Sequence, residues 1–463
     1  MAMGSSERDF PAQAWPSRRG RTGARTSLIL YCVAILIPAI LSLSIAYQWN
    51  HVFASIVSVL NIVFMAMMLS QFALSSRGRW LYRLMGIDQA MSLHRRMGEW
   101  IAIFFFLHPF LIVLPRMWFA PELVWSDLWL SFTQASVATG VYAWMILIVW
   151  TLVSIAKAKA GLSFEAWRYS HTIGFGAVAV LGVLHAIDVG RHGQLQPLFN
   201  WIWIAGGTAA VLAALWGLTG RARAMDAKTF RLVEVRKASA SDWELVLEND
   251  RKLPFAFEAG QFAWIGASRS ALLRDEHPFS IASAPSELPV LRFVIRELGD
   301  FTRQLAQLKP GSRIRVDGPY GDFSLAGRSA RGVLLIAGGA GIAPMLGVLR
   351  DLTPDQARLP IRLLYGNRTA SQLVAQDELS ALEARLPDFR QVIALEQTDA
   401  SIGAHHHGRM DPDFLKAHLP PHEEIAGWLI FVCGPPVMVE HVVAHLIRLG
   451  VPKQTILYEE FGF

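Results

Sequence analysis

The chain has 463 residues, which is too long for one ordinary domain, and 53% of them are hydrophobic while only 17% are charged. The net charge of +6 is modest and concentrates in short segments between apolar runs, so it indicates membrane orientation, and we expect no nucleic-acid partner. Only two cysteines are present, Cys32 and Cys433, which excludes an iron–sulfur cluster held by four thiolates.

The composition divides the chain near Gly220. Residues 1–26 are polar and arginine-rich, and we predict a disordered cytoplasmic N-terminus there. Long apolar runs fill residues 27–220, whereas alternating charges and Gly/Pro turns begin at about residue 221. A membrane domain followed by a soluble part is therefore expected.

Six runs in the membrane half approach the ~20 residues that a spanning helix needs. Basic residues follow the second run at Arg77–Arg83, and Lys157 and Lys159 follow the fourth. The positive-inside rule then predicts an integral protein of a bacterial inner or plasma membrane, in contact with lipid and with both termini in the cytoplasm. The predicted spans are 27–47, 52–74, 97–115, 132–156, 168–187 and 199–219.

Two histidine pairs accompany the third and fifth spans: His94 with His108, and His171 with His185. Each pair is 14 residues apart, about four helical turns, so its members lie nearly on one helix face about 21 Å apart. An even number of crossings separates the two spans, which therefore run in the same direction. This places His94 opposite His171 at the cytoplasmic level and His108 opposite His185 at the outer level.

Imidazole is a common haem ligand, and a histidine inside a membrane is costly and so usually functional. The two levels predict two b-type haem sites stacked across the bilayer. Single histidines could instead bond a neighbouring helix or line a proton path. Gly174, Gly176 and Gly182 in the fifth span fit either close approach of a flat macrocycle or ordinary helix packing.

Residues 229–326 contain many short apolar strands between turn residues, a pattern typical of an antiparallel barrel. Within them lies His277-Pro278-Phe279-Ser280-Ile281-Ala282-Ser283. Gly299-Asp300-Phe301-Thr302 follows and opens a predicted helix, Phe301–Leu308. A helix N-terminus is a natural anion site and would suit a pyrophosphate.

Residues 331–463 alternate strands with helices. The strand 332–337 runs into Gly338-Gly339-Ala340-Gly341-Ile342-Ala343-Pro344, whose glycines would let the backbone approach a phosphate, although the spacing departs from G-x-G-x-x-G. Arg368 follows the next strand, where an acidic residue would favour a free ribose 2′-hydroxyl and arginine favours a 2′-phosphate. It could also be a solvated loop residue. A later strand ends in Cys433-Gly434-Pro435-Pro436.

These segments resemble the ferredoxin–NADP reductase superfamily: HPFSIAS its flavin motif, GGAGIAP its pyridine-nucleotide loop and CGPP its cysteine–glycine motif. With the histidine-bearing spans, nearly the whole chain from about residue 27 resembles the bacterial type of the NADPH oxidase and ferric reductase family. The resemblance implies a multidomain membrane protein. Its parts would be an all-α six-helix transmembrane bundle, an antiparallel β-barrel FAD domain (229–326) and an α/β Rossmann-like NADPH domain (331–463).

The resemblance also implies roles for individual residues. The flavin ring and ribityl chain would contact Phe279 and Ser280, beside His277, Pro278, Ile281, Ala282 and Ser283. The FAD pyrophosphate would bind at Gly299, Phe301 and Thr302. The NADPH pyrophosphate would face Gly338, Gly339, Gly341 and Pro344, with Arg368 and Thr369 at its 2′-phosphate. The nicotinamide would lie by Cys433, Gly434 and Pro435, and a C-terminal ring, Phe463 or else Phe461, would stack on the flavin.

The implied activity passes electrons from NADPH through FAD and two haems to an external acceptor, either oxygen (giving superoxide) or a ferric chelate. An alternative is a donor module for a periplasmic redox protein, and a third is a histidine-lined proton path with a flavin sensor. Family oxidases often keep a basic residue near the haems and a histidine beyond the outer ligand, but here span two lacks arginine and position 112 is Ile112. The outer polar candidates are His51, Arg116, Arg191 and His192, and the run His405-His406-His407 is interpreted as a solvated turn.

Overall fold

The structure is a computed structural model that describes residues 21–44, 52–76, 87–156, 164–220, 228–267, 276–397 and 406–459. These residues form two compact units, one built mainly on residues 19–224 and the other on the remainder of the chain. The division near residue 224 agrees with the composition change near Gly220.

The membrane unit is all helical. Among the residues that the structure describes, five segments are long and apolar enough to cross a membrane, and they correspond to the second to sixth predicted spans. The first predicted span falls on α1, whose described apolar part, Leu28–Ser44, is shorter than those five and near the lower end of the ~17–25 residues that span a bilayer. The helices are α1 Arg21–Ser44, α2 Val52–Ser75, α3 Ile87–Val113, α4 Arg116–Phe119, α5 Val124–Thr133, α6 Ala138–Ile155, α7 Phe164–Val189, α8 Arg191–Leu195 and α9 Asn200–Leu215.

The core of this unit lies where α2, α3, α7 and α9 meet. Met68, Ile101, Ala179 and Trp203 are buried there. Large apolar side chains on the outer faces stay exposed, among them Ile103 of α3. An apolar outer surface suits helices whose solvent is lipid rather than water.

The first half of the other unit is a six-stranded antiparallel sheet, as predicted, in the order β4-β3-β6-β1-β2-β5. Its two edges meet where Ile281, just after β4, bridges Phe293 of β5, so the sheet curls towards a barrel around apolar side chains such as Phe230 and Ile314. The strands are β1 Thr229–Lys237, β2 Asp242–Glu248, β3 Phe262–Gly266, β4 His277–Ser280, β5 Val290–Arg296 and β6 Arg313–Tyr320.

The second half is a six-stranded parallel sheet in the order β10-β9-β8-β7-β11-β12. The chain moves from β7 to one side through β8 and β9, then returns to pair β11 with β7, so the strand order reverses between these two strands. Ligands of open α/β sheets bind at the carboxyl ends of such strands. The strands are β7 Gly332–Gly338, β8 Ile361–Asn367, β9 Phe389–Leu395, β10 His406–His407, β11 Trp428–Cys433 and β12 Ile456–Tyr458.

Within the described part of the chain, five helices accompany these two sheets. The predicted helix Phe301–Leu308 is shorter than expected, because α10 covers Asp300–Gln304 and a 3₁₀ turn, Leu305–Gln307, replaces its second half. The others are α11 Ile342–Arg350, α12 Gln376–Arg385, α13 Pro412–His418 and α14 Pro436–Arg448.

Candidate functional site

The four histidines meet in two pairs between α3 and α7. The ring centres of His94 and His171 are 6.3 Å apart, and those of His108 and His185 are 6.4 Å apart. Among the described residues, no group of three or more His, Cys, Asp or Glu side chains is arranged to hold a metal ion. The two histidine pairs are therefore the arrangements to test as metal-ligand sites.

The separation within each pair matches axial ligation of one iron. An imidazole nitrogen binds a metal at about 2.0 Å, and the ring centre lies about 1.2 Å behind that nitrogen. Two rings on opposite sides of one iron thus have centres about 6.4 Å apart, so both pairs fit a haem held by two histidines. A direct hydrogen bond between two imidazoles would instead need nitrogens within about 3.2 Å of each other.

The outer pair lines a cavity of about 570 Å³, within the ~300–1,000 Å³ typical of ligand pockets. Nδ1 of His108 donates a hydrogen bond to Oδ1 of Asn61 on α2 at 2.9 Å. His185 lies against α6 at Gly140, where a Cβ atom would come within 2.5 Å of its Nδ1. Only glycine at position 140 leaves the ring in this place.

The inner pair has a similar polar contact on the other helix. Nδ1 of His171 lies 3.0 Å from Oγ of Ser154 on α6. The rings of Trp167 and Phe175, one turn away on either side, lie 5.1 and 4.6 Å from the His171 ring. The inner level is thus an aromatic environment with one hydroxyl directed at one histidine.

The glycines predicted for the fifth span have different neighbours. A Cβ at Gly174 would meet the ring of Trp150 at 2.5 Å, and one at Gly182 would meet Met68 at 3.3 Å, so both serve helix packing. A Cβ at Gly176 would meet nothing within 4 Å. Gly140, Asn61 and Ser154 were missed at the sequence level, although an asparagine in an apolar span was a detectable signal for one of them.

Polar residues of the segment between α7 and α9 reach the outer cavity. Arg191 and His192 of α8 line it, and His192 is buried with its ring 5.6 Å from that of Phe199. Burial lowers the pKa of His192, and neighbouring Arg191 lowers it further, so this imidazole is neutral at physiological pH. Arg116 instead pairs with Asp127 at 2.7 Å, while His51 lies outside the described residues.

The predicted flavin segment places three rings together. The His277 and Phe301 ring centres are 4.5 Å apart, and Phe279 stacks on Phe301 at 6.0 Å. His277, Pro278 and Phe279 are partly exposed, and buried Phe301 lies behind them, so the rings form one aromatic surface. Stacking on a flat ring system is the chemistry that such a surface offers.

The residues after Phe279 serve the framework. Ser280, Ile281, Ala282 and Ser283 are buried, and the Ala282 amide donates to the Arg292 carbonyl. The hydroxyl of Thr302 accepts hydrogen bonds from the Leu298 and Gly299 amides, each at 2.9 Å. Thr302 therefore caps its own helix, and the pyrophosphate site at residues 299–302 stays a prediction.

The glycine loop after β7 packs directly on the turn after β11, at the reversal in strand order. A Cβ at Gly341 would overlap the Cys433 carbonyl, and one at Gly434 would lie 3.2 Å from the Gly338 backbone. Gly339 has a φ of +56°, with the Arg296 guanidinium beside it. These contacts bring the glycine loop and the Cys433 turn together, with buried Pro344 in the first turn of α11 and exposed Pro435 after β11.

Arg296 connects the two sheets beside the glycine loop. Its guanidinium donates to both carboxylate oxygens of buried Asp242, at 3.0 and 3.1 Å, and to Oδ1 of Asn367 at the end of β8. Arg350, at the end of α11, forms a second connection by pairing with Glu378 and donating to the Ala282 carbonyl at 2.8 Å. The helix that begins at the glycine loop is thereby fixed to the flavin segment.

Arg368 follows β8 and is exposed, and within the described part of the chain its guanidinium has no hydrogen-bond or ion-pair partner. Its carbonyl accepts from the Gln397 amide at 2.9 Å, which fixes the backbone at this position. The Thr369 hydroxyl lies 3.1 Å from that of Ser371. Phe461 and Phe463 lie outside the described residues, and of the histidine run His406 and His407 form β10.

Cys433 ends β11 and is buried. Burial raises the pKa of its thiol strongly, and the Glu459 carboxylate raises it further. The thiol is therefore neutral at physiological pH, and it suits packing beside a ring better than nucleophilic attack.

We predict that iodoacetamide leaves Cys433 unmodified in the folded protein between about pH 7 and 9, a range in which a free thiol with a pKa of about 8.5 becomes ionised. Peptide mass mapping before and after unfolding in guanidinium measures the modification, with Cys433→Ser as the control for peptide assignment. Alkylation of the folded protein at the rate of a free thiol would contradict the prediction.

Comparison with known proteins gives relatives for the second unit. The chain is 33% identical over 215 residues to the reductase component of propane 2-monooxygenase from Mycolicibacterium smegmatis, covering 45% of this chain and 60% of that protein. It is 32% identical over 158 residues to NADH-cytochrome b5 reductase 1 from Kluyveromyces lactis, covering 34% of this chain and 56% of that protein. The chain thus spans less than two thirds of the length of either relative. The cytochrome P450 reductase GcoB from Amycolatopsis, 26% identical over 50% of this chain and 69% of its own, superposes with a TM-score of 0.44, which is too low to carry an argument.

Three family models match successive parts of the chain. Residues 60–183 match the ferric reductase like transmembrane component, residues 230–324 an FAD-binding domain and residues 335–444 the oxidoreductase NAD-binding domain. With five apolar helices, the first match makes this an integral membrane protein. A ferric-reductase-like transmembrane domain followed by FAD- and NAD-binding domains is the architecture of the NADPH oxidase and ferric reductase family, and this chain has that architecture.

Proposed function

We propose that the protein carries electrons from NADPH, through FAD and two b-type haems, across the membrane to an acceptor on the outer side. The observation that carries the proposal is the pair of ring-centre distances, 6.3 and 6.4 Å, at two levels between α3 and α7. Bound haem supplies one-electron chemistry that no side chain of this protein offers.

The protein's own residues bind and orient these groups. His94 and His171 hold the inner haem, and His108 and His185 hold the outer one. The surface of His277, Phe279 and Phe301 receives the flavin, while the glycine loop and the Cys433 turn receive the nicotinamide nucleotide. Fixed placement of successive carriers is the contribution that such a protein makes to electron transfer.

The direction of transfer follows from the charges that flank the spans. Arg95 and Arg96 lie beside His94, and Arg221 and Arg223 follow the last span, which favours a cytoplasmic position for this side and for the nucleotide-binding unit. His108, His185 and the α8 segment then lie on the outer side. Both termini would be cytoplasmic if α1 also crosses the membrane.

The acceptor that we favour is a small molecule, either oxygen (reduced to superoxide) or a ferric chelate. Arg191 and neutral His192 line the same cavity as the outer histidines, and they offer a cation and a hydrogen-bonding ring close to the last carrier. An electron-donor module for a periplasmic redox protein is the second candidate.

Assays of the protein in membranes separate these acceptors. Cytochrome c reduction that superoxide dismutase suppresses indicates an oxidase, and ferrous-chelate colour without oxygen indicates a ferric reductase. NADPH consumption that requires a periplasmic extract indicates the donor module. A purified protein without a haem Soret band would contradict the proposal and favour the histidine-lined proton path.

Three predictions test the proposed function, and the first concerns the histidine pairing. We expect His171→Leu to lose the inner haem, because the site loses one of the two imidazoles that would hold it, and to stop outward electron flow. NADPH oxidation by a soluble dye should continue, since the flavin and nucleotide sites are intact. Visible spectra and dye reduction measure both effects, and exposed His407→Leu is the control. Retention of both haems in His171→Leu would refute the pairing.

The second prediction concerns the glycine that the His185 ring contacts at close range. Gly140→Ala places a methyl group within 2.5 Å of Nδ1 of His185, so the ring must move and haem absorbance of the outer site should fall. Gly176→Ala is a matched control, because a Cβ there meets nothing within 4 Å. Equal haem content in the two variants would show that the ring position is not critical.

The third prediction concerns the nucleotide. Arg368→Ala should raise the KM for NADPH roughly 10-fold to 100-fold and leave the KM for NADH unchanged, because hydrogen bonds to charged groups contribute about 1.5–3 kcal/mol. The control is Arg385→Ala. Arg385 is exposed and ends α12 just before β9, so it lies towards the amino ends of the strands. Equal increases for both nucleotides would exclude a 2′-phosphate role.

A further inference from the structure

Among the described residues, each histidine pair contains one ring with a side-chain hydrogen-bond partner and one without. His108 bonds Asn61, and His171 bonds Ser154. Nδ1 of His94 and Nδ1 of His185 are buried without a side-chain partner in the described part of the chain, and His94 has the backbone of Gln71 beside it. The bonded rings belong to different helices, His108 to α3 and His171 to α7, so the arrangement is not a repeat along one helix.

The hydrogen bonds determine which ring nitrogen carries the proton. Oδ1 of Asn61 is only an acceptor, so Nδ1 of His108 must be the donor. The hydroxyl of Ser154 uses its single hydrogen to donate to the Trp150 carbonyl at 2.7 Å. Its oxygen can therefore only accept from Nδ1 of His171.

In both bonded rings the other nitrogen, Nε2, keeps its lone pair. This is the tautomer that binds a metal through Nε2 while Nδ1–H is held by a partner. The same hydrogen bond fixes the rotation of the ring about its Cβ–Cγ bond. One ligand of each pair is thus prepared for the iron before the iron binds.

The membrane setting gives these contacts a further meaning. Asn61 lies within a membrane span, where polar groups are costly and usually functional. Asn61 lines the cavity of the outer pair and bonds His108 there. Ser154 donates to the Trp150 carbonyl, a local hydrogen bond that a serine can form in any helix. Its contact with His171 is therefore additional to its local bonding.

We propose that Asn61 and Ser154 are positioning residues, each of which holds one axial histidine in the Nδ1–H tautomer and thereby sets the reduction potential of one haem independently of the other. The inference rests on the proposed function, because it assumes that both pairs hold haem. A hydrogen bond at Nδ1 makes the imidazole a stronger electron donor, which favours ferric iron and lowers the potential. Asn61 acts on the outer haem and Ser154 on the inner one.

The test is a potentiometric titration of the purified full-length protein in lipid nanodiscs, followed by visible spectroscopy. We expect Asn61→Leu to raise only the outer potential and Ser154→Ala to raise only the inner potential. Asn61→Asp, a stronger acceptor, should lower the outer potential. The same substitutions made in the His171→Leu background, which keeps the outer haem alone, assign each potential to its site.

Two controls lie on the same helices. Ser55 of α2 is buried and is not among the residues that line the cavity, and Thr151 is a buried hydroxyl with no hydrogen-bond partner in the described part of the chain. Ser55→Ala and Thr151→Ala should leave both potentials unchanged. If the substitutions acted through a general loosening of the helix bundle, the control variants would shift the two potentials as well.

Haem retention gives a second readout. Removing a partner of a metal ligand typically costs about 10-fold to 100-fold in metal affinity, so haem transfer to excess apomyoglobin should accelerate for the matching haem only. Potentials that stay unmoved in Asn61→Leu and Ser154→Ala, or that move equally at both haems, would overturn this inference while leaving the proposed function intact. A wild-type protein without haem would overturn both. If Asn61→Leu does not fold, Ser154→Ala decides the matter.

Discussion

The separation of facing imidazole rings on α3 and α7 is the constraint on which the membrane unit depends. Two rings can share one metal only within a narrow range of distances, and this must hold at two levels of the same helix pair. A spacing of 14 residues keeps both levels on one face of each helix because it is close to four turns. Antiparallel helices would reverse the order of the levels, so the even number of crossings between α3 and α7 matters as much as the spacing.

The hydrocarbon environment limits how the rings can be supported. No water is available to satisfy a polar group there, so any fixing of a ring has to come from side chains or from steric contact. The structure uses both means. Asn61 and Ser154 accept hydrogen bonds from two rings, while Gly140 lets a third ring, that of His185, lie against the α6 backbone.

The second unit depends on a comparable restriction, the close approach of two backbone segments at the β7–β11 reversal. Gly341 packs on the Cys433 carbonyl, and Gly339 adopts a left-handed φ beside Arg296. Arg296 reaches Asp242 and Asn367 from there, so its guanidinium, together with that of Arg350, ties the glycine loop and the parallel sheet to the antiparallel sheet. Loop geometry and interdomain geometry are therefore set by the same few contacts.

The sequence by itself determined the composition change near Gly220, five of the six predicted spans, the histidine pairs and the two sheet classes, since periodicity and composition are local properties. The first span stays a prediction. It overestimated the helix after Gly299, because the capping role of Thr302 and the turn at 305–307 depend on side-chain geometry. Only the tertiary structure decided that Gly174 packs on Trp150, that His192 reaches the outer cavity, and that Asn61 and Ser154 meet the histidines. The Ser154–His171 and Asn61–His108 contacts join residues that are 17 and 47 positions apart in the chain, so no local sequence pattern predicts them.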